Sequence, residues 1–356
     1  MLARPTVTVD LAKIAENART VVSTMHGIDV VGVTKVTCGS TDVARAMLAG
    51  GVVALGDSRL ENIERMRGER LDVPFWLLRA PTPGLAEETV RLADVSLESE
   101  IETVEALNAA AGRIGRRHAI VVMVDVGDLR EGMMPDELHA FMERAATLAN
   151  VDIVGLGTSL TCYGGVVPTE KNLGELASLT AWAEQTLGRP LLVSGGMSSS
   201  IELAAAGRMP AAVDNLRIGE SIILGVSAVT RERILDLHVD AITVAAPVIE
   251  SRVKPSAPIG EIAQDAFGGH PAFEDRGPRR RAVCALGRQD APAEGLRPVD
   301  PRVQVLGASS DHLILDVHDL PKPPELGEAV VFLPNYAATL ALFTSPYVRK
   351  EYVGRG

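Results

Sequence analysis

The sequence predicts an α/β protein in two parts: a parallel (β/α)8 TIM barrel over residues 1–236, followed by a C-terminal all-β domain over 237–356. Three observations carry this prediction. Short apolar strand-like runs alternate with helical stretches eight times within about 200 residues, as a barrel of βα units requires. Near Leu237 that alternation gives way to short strands separated by Pro- and Gly-rich turns. The apolar fraction is 46% but aromatics are only 3%, so Ala, Val, Leu and Gly fill the interior, as suits β-branched barrel strands. At 356 residues the chain has room for both parts. An open doubly wound sheet obeys the same spacing, and the count of eight favours closure.

Taken in order, PTVTVDL opens the chain as an extended segment whose residues 6–9 could pair with the second domain. Residues 10–25 read as an amphipathic helix from an Asp10 cap, with Leu11, Ile14 and Val21 or Val22 on one side. Barrel strands are expected at 30–36, 52–56, 74–79, 95–97, 119–126, 153–158, 190–193 and 213–218. Helices are expected between them, at 58–67, 101–111, 135–149, 172–186 and 200–206. The second domain offers VDAITVAAPVIESRVK, RRRAVCAL, RVQVLGAS, HLILDVH and AVVFLP as strands, with 289–301 (QDAPAEGLRPVDP) as loop. The run RGPRRR at 276–281 reads as a solvated hairpin face.

Composition excludes several classes of function. A net charge of −11 argues against nucleic acid as a partner, because binding it needs a basic face that neutralises phosphates. No apolar run reaches membrane-span length, and nothing resembles a signal peptide. Cys38, Cys162 and Cys284 are odd in number and lack metal-ligand spacing, so no metal site is expected and a reducing, cytoplasmic location fits best.

The stretch most informative about function is residues 29–39, DVVGVTKVTCG. An apolar strand ends there at a single lysine, Lys35, and lysine is among the residues least often buried. It could snorkel to solvent, or it could be a Schiff-base lysine at the mouth of the barrel. Chemistry in such barrels sits at the C-terminal strand ends. Read in order these supply Lys35, Asp57, Arg79, Arg130, Thr158–Ser159, the SGGMSSS loop at 194–200 and the RIGES loop at 217–221. Two Gly-bearing loops after successive strands suit a phosphate, held by backbone N–H groups and serine hydroxyls. Ordinary βα turns would look the same one at a time. Cys38 and Arg79 read as structural.

Lys35 with its VTCG sequel, MVDVGDLREG, SGGMSSS, RIGES and NYAATLALFTSPYV, in this order and spacing from about Pro5 to Tyr352, resemble the alanine racemase-like, fold-type III pyridoxal-phosphate enzymes. Within them the chain is most similar to the alanine/ornithine racemase subfamily. The resemblance implies pyridoxal 5'-phosphate as cofactor and a free amino acid such as ornithine, lysine or alanine as substrate. Lys35 would be the cofactor lysine and would carry the α-proton on one face. Ser198 or Ser199, the Gly219 and Glu220 amides, and Tyr336 from NYAATLALFTSPYV, which would be the family's C-terminal strand, would hold the phosphate. Arg217 would face the pyridine nitrogen; because arginine keeps its proton, the ring would stay a modest electron sink, which suits racemisation over transamination. Arg130 would bind the substrate carboxylate through its planar fork, unless it only pairs with Asp128 or Glu131 in a solvated loop. Ser310 and Asp311 would approach the partner's substrate carboxylate in a homodimer with shared active sites.

Two departures from the family pattern stand out. Met123 occupies the place of a carbamylated lysine that often supports the arginine, leaving Glu131 or Asp128 to orient Arg130. Phe267, in DAFG, stands where the family carries its tyrosine base, and phenylalanine transfers no proton. Cys162, Asp265 and His270 are the substitutes to consider, with Cys162 chemically apt if its thiolate is stabilised nearby; Lys35 serving both faces is the other route. The reading is thus a PLP-dependent amino-acid racemase or epimerase. Its rivals are a decarboxylase of the same fold, which usually presents a carboxylate to the ring nitrogen, and a non-catalytic PLP carrier, which would leave the β domain unexplained.

Overall fold

The computed structural model describes residues 2–270 and 272–354. These divide into two compact units: Leu11–His238, and the residues before and after it. Strand β1 (Thr6–Asp10) comes first, and its last residue, Asp10, immediately precedes the first helix, the position at which the sequence suggested a cap. Helix α1 (Leu11–Thr24) follows and buries Leu11, Ile14 and Val21 at helical spacing.

The barrel unit then runs β2 (Asp29–Val33), α2 (Thr41–Ala49), β3 (Ala54–Asp57), α3 (Leu60–Gly68), β4 (Phe75–Leu77), α4 (Ala86–Leu92), β5 (Val95–Glu98) and α5 (Ile101–Ile114). It continues with β6 (His118–Met123), α6 (Leu138–Ala145), β7 (Val151–Gly157), α7 (Glu170–Leu187), β8 (Leu192–Met197), α8 (Ile201–Ala205), β9 (Asn215–Ile218) and α9 (Glu220–Leu224). Strands β2 to β9 pair in sequence order and β9 returns to β2, closing an eight-stranded parallel barrel. All eight expected strands are present, within a few residues of the boundaries the pattern suggests. Val31, Ala54, Trp76, Leu97, Val121 and Met123 form one buried cluster contributed by successive strands, and this fills the interior. Asn17, buried on α1, ties that helix to the end of the unit: its amide donates to Ile222 O (3.0 Å) and His238 O (2.9 Å), and its carbonyl accepts from His238 N (2.7 Å).

The second unit contains β10 (Ile242–Pro255), β11 (Pro278–Cys284), β12 (Leu296–Pro298), β13 (Gln304–Ala308), β14 (Leu313–Asp316), β15 (Ala329–Pro334), α10 (Tyr336–Thr344) and β16 (Arg349–Val353). These strands form one sheet, and β1 joins it, antiparallel to β10 and parallel to β16.

Several expectations are corrected here. Residues 289–301 are not all loop: a 3-10 turn at Ala293–Gly295 leads into β12, too short a strand to show a period. The segment NYAATLALFTSPYV, likened to a strand, forms helix α10, started by Asn335, whose side chain accepts from Ala338 N (2.9 Å). Its nearly uniform apolar character carries neither a helix nor a strand period. The arginines at 276–281 are not simply a solvated face. Arg279 donates to Asp316 (2.5 Å) and Asp319 (2.9 Å) with its side chain only 16% exposed, and Arg281 donates to Ser256 O.

Candidate active site

Strand β2 stops at Val33, two residues earlier than Lys35, which begins a short 3-10 turn. What holds that turn is a buried carboxylate. Asp57, last in β3, accepts from the Thr34 hydroxyl (2.8 Å), the Asn62 amide (2.9 Å) and Arg59 N (3.0 Å). The residue before the lysine is thereby locked to the neighbouring strand. Burial pushes the Asp57 carboxyl up, and these hydrogen bonds oppose the shift.

Lys35 itself is half-buried. Burial, and after it the nearby Arg130 guanidinium, holds its amine below the ordinary lysine value; Cys162, Glu131 and Asp57 act in the opposite sense. Arg130 and Cys162, on loops after β6 and β7, therefore both lie within electrostatic reach of the Lys35 amine. Arg130 donates through Nε and Nη2 to the two oxygens of Glu131. Glu131 thus pairs with the arginine. Asp128, the other group suggested for that task, is engaged elsewhere: it accepts backbone N–H groups of Cys162, Tyr163 and Val166.

Arg217, in β9, is 3% exposed. Its Nη1 donates to the Ser194 hydroxyl, which in turn donates to Asn215 Oδ1 (2.6 Å). Its Nη2 donates to Thr158 O (2.6 Å). Burial lowers its pKa to about 10, Glu131 opposing and Arg130 assisting, so it keeps its proton at neutral pH. Beside it the buried Thr158 hydroxyl has no hydrogen-bond partner among the described residues.

The SGGMSSS segment is partly strand: β8 continues to Met197, and only Ser198–Ser200 turn. The Ser199 hydroxyl donates to Leu160 O (3.2 Å) and that of Ser200 to Gly195 O (2.8 Å). Ser198 differs: its oxygen accepts the backbone N–H groups of Gly219 (3.3 Å) and Ser221 (3.4 Å), both long bonds. Gly219 is required there, because a Cβ would lie 2.8 Å from the Val33 Cβ and carbonyl oxygen. The Glu220 carboxylate takes a hydrogen bond from Arg231 (2.5 Å); burial pushes its pKa up while Arg231 and Lys35 pull it down.

The barrel unit thus gathers Lys35, Arg130, Cys162, Ser198, Ser199, Arg217, Gly219 and Glu220 at one end of the strands. Tyr336, at the start of α10, and Ser310 and Asp311, in the turn between β13 and β14, belong to the second unit. There Ser310 donates to Asp311 (2.7 Å). Asp265 accepts Phe267 N and Gly269 N, a turn-forming task, while half-exposed Phe267 packs beneath the Arg288 guanidinium. Sequence reasoning did not single out Ser194, Asn62 or the role of Asp128. Nothing local marks the first two; the paired aspartates of DVGDLREG were the one available signal for the third.

A half-buried lysine just past the end of β2, a buried charged arginine on the neighbouring strand β9, and a Ser–Gly turn at a barrel mouth define a class of lysine-centred barrel enzymes. The model of the alanine racemase N-terminal domain matches residues 9–226. The chain is 38% identical over 351 residues to the ornithine racemase of Acetoanaerobium sticklandii, covering 98% of this chain and 99% of that one. It is also 38% identical over 352 residues to the lysine racemase of Thermotoga maritima, covering 98% of each. Among solved structures, alanine racemase from Bartonella henselae with covalently bound pyridoxal phosphate matches with a TM-score of 0.76 at 18% identity, over 99% of this chain and 100% of that one. The chain belongs to the alanine racemase family.

Proposed function

We propose that this chain is a PLP-dependent racemase of free amino acids, with ornithine and lysine as its first candidate substrates. The observation that carries the reading is the placement of Lys35: one half-buried lysine just past the end of β2, fixed beside the Thr34–Asp57 contact, with Arg130, Cys162 and Glu131 within electrostatic reach. Two relatives matched over nearly their full length bear the names ornithine racemase and lysine racemase.

The residues present fit pyridoxal 5'-phosphate. Arg217 supplies a positive charge with no carboxylate bound to it among the described residues, Lys35 supplies the amine, and Glu131 and Glu220 are already bound to arginines, so an anionic group is accommodated. Ser198 with the amides of Gly219 and Ser221 would hold the phosphate, their present long bonds being easily exchanged for shorter, charge-assisted ones. Gly219 and Glu220 at the start of α9, Ser199 and Tyr336 complete that set by family resemblance. The unpartnered Thr158 hydroxyl and the charged Arg217 would meet the ring. When bound, the cofactor supplies a means of delocalising negative charge from the substrate Cα.

The chain's own residues do the rest. Arg130, with Nε and Nη2 facing Glu131, offers a guanidinium edge to the substrate carboxylate. The lowered pKa of Lys35 raises the fraction of neutral amine near pH 7, which lets its Nζ accept the α-proton. Cys162 Sγ is the group we assign to proton transfer on the other face, being exposed and within electrostatic reach of Lys35. Arg217 keeps its proton and so would leave a ring nitrogen facing it without one, which would favour prompt return of the proton to Cα; a decarboxylase of this fold would present a carboxylate there. By resemblance the site is completed in a homodimer, with Ser310 and Asp311 serving the partner's substrate.

The decisive test incubates PLP-loaded protein in deuterated water with single enantiomers of ornithine, lysine and alanine. It follows the α-proton by NMR and product chirality by chiral chromatography. Exchange with inversion, faster for the basic substrates than for alanine, is expected. Loss of carbon dioxide would replace this reading with a decarboxylase, and absence of both with a carrier.

A further inference from the structure

The loop after β7 carries Cys162, and the loop after β6 carries Arg130. The two are joined by one fully buried side chain, Asp128. Asp128 Oδ1 accepts Val166 N (3.1 Å), Oδ2 accepts Tyr163 N (3.0 Å), and Cys162 N approaches both oxygens at 3.3–3.4 Å. Burial alone would raise its pKa, but these amides, with that of Gly164, hold it below the usual aspartate value. The seam is close on its other side as well. A Cβ on Gly164 would stand 2.5 Å from the Asp128 carbonyl oxygen. The 125–131 loop has its own support, since Asp125 accepts Gly127 N (2.7 Å) and Arg130 N (3.1 Å), and Asp125 N bonds Met133 O. No cation pairs with Asp128 among the described residues; its charge is met by backbone dipoles of a segment more than thirty positions away in sequence.

We propose that Asp128 is a positioning residue of this site: its carboxylate gathers the 160–166 loop onto the 125–131 loop and so holds the Cys162 thiol in a fixed relation to Lys35 and Arg130. The inference rests on the assignment of Cys162 to proton transfer only for its catalytic consequence. The geometry stands without it. Both carboxylate oxygens are used as acceptors, so asparagine, with one acceptor and one donor end, sets N–H against N–H and releases the loop.

The test uses the PLP-loaded enzyme and reads amide hydrogen exchange of the 160–166 segment by mass spectrometry, together with kcat and KM. In Asp128→Asn the Tyr163 and Val166 amides, which the carboxylate now accepts, are expected to exchange at least about tenfold faster. Turnover is expected to fall by about a hundredfold in kcat with KM little changed, and no further when Cys162→Ser is added. Gly164→Ala, which alters no charge and pushes the same loop, is expected to act in the same sense and decides the matter alone if Asp128→Asn does not fold. Unchanged exchange in the folded variants overturns the proposal. Full turnover in Cys162→Ser overturns instead the proton-transfer assignment, and leaves the positioning of the loop to be judged by the exchange.

Discussion

Two of the fully buried carboxylates of the barrel unit, Asp128 and Glu98, are shifted in opposite directions. Asp128, at the mouth, is held low by backbone N–H donors. Glu98, last in β5 and on the opposite side of the strand from Leu97 of the interior cluster, is pushed by burial up to about 8, with only the Ser96 hydroxyl (2.6 Å) opposing. Its second oxygen has no hydrogen-bond partner among the described residues. The same Ser96 oxygen lies 2.9 Å from His118 Nε2, and burial, with Arg116 assisting and Asp94 opposing, lowers His118 to about 4. Asp128 meets four backbone N–H groups, whereas Glu98, in the barrel wall, meets a single hydroxyl. Asp57, also fully buried, collects donors as well and is still raised, so a buried carboxylate stays low only where its donors outweigh the cost of burial.

This contrast can be broken by variants that affect one region and spare the other. The largest effect is expected at the mouth: Lys35→Ala should lose at least about a thousandfold in racemisation, together with the cofactor's protein-bound absorbance, while its melting temperature without cofactor stays near that of the parent. A collapse in melting temperature would make Lys35 a structural residue. Next, Gly219→Ala drives a Cβ against Val33, and should weaken cofactor binding severalfold and destabilise by about 1–3 kcal/mol, read by PLP titration and thermal melts. Unaltered PLP affinity would remove the Ser198–Gly219 turn from the phosphate site.

The wall should reveal itself through pH. Glu98 holds its proton to about 8 when folded against 4.5 as a free side chain, so the folded state binds more protons in that window and stability falls as pH rises through it. His118 titrates near 4 when folded against 6.5 free, so the unfolded state binds more protons there and stability falls as pH drops from 6.5 toward 4. Between 4.5 and 6.5 the two slopes oppose one another, and the decline attributable to Glu98 emerges above 6.5. Melting curves of Glu98→Gln from pH 6.5 to 8 should be flatter than those of the parent, with racemisation little changed. Parallel curves would show that Glu98 is already ionised. The smallest effect belongs to the exterior: Arg45 and Glu69, 3.7 Å apart and 50% and 59% exposed, should couple by less than about 0.5 kcal/mol in a double-mutant cycle.

Much of the fold was legible in the sequence, and for a local reason. Eight buried strands announce themselves as apolar runs because both faces of a parallel barrel strand are covered. Helices α2, α4 and α9 went unmarked in the sequence. β12 and β16 were likewise hidden, the latter because RKEYV looks like an exposed tail until β1 pairs with it.

At the site, Lys35, Arg130, Arg217 and the Ser–Gly turns could be named from sequence because each follows or ends a recognisable strand, and strand ends converge in a closed barrel. Which hydroxyl of SSS meets the Gly219 and Ser221 amides could not, since all three serines are locally equivalent and only the return of β9 beside β8 distinguishes Ser198. The sequence by itself determined the eight-strand periodicity and the chemistry carried at each strand end, because both are written within a few residues. Tertiary structure alone decided that Asp57 would secure Thr34 beside Lys35, that Asp128 would collect the amides of a distant loop, and that Glu98 would be left short of donors. Those outcomes depend on which segments meet in space, and a buried carboxylate is charged or neutral according to the neighbours it finds there.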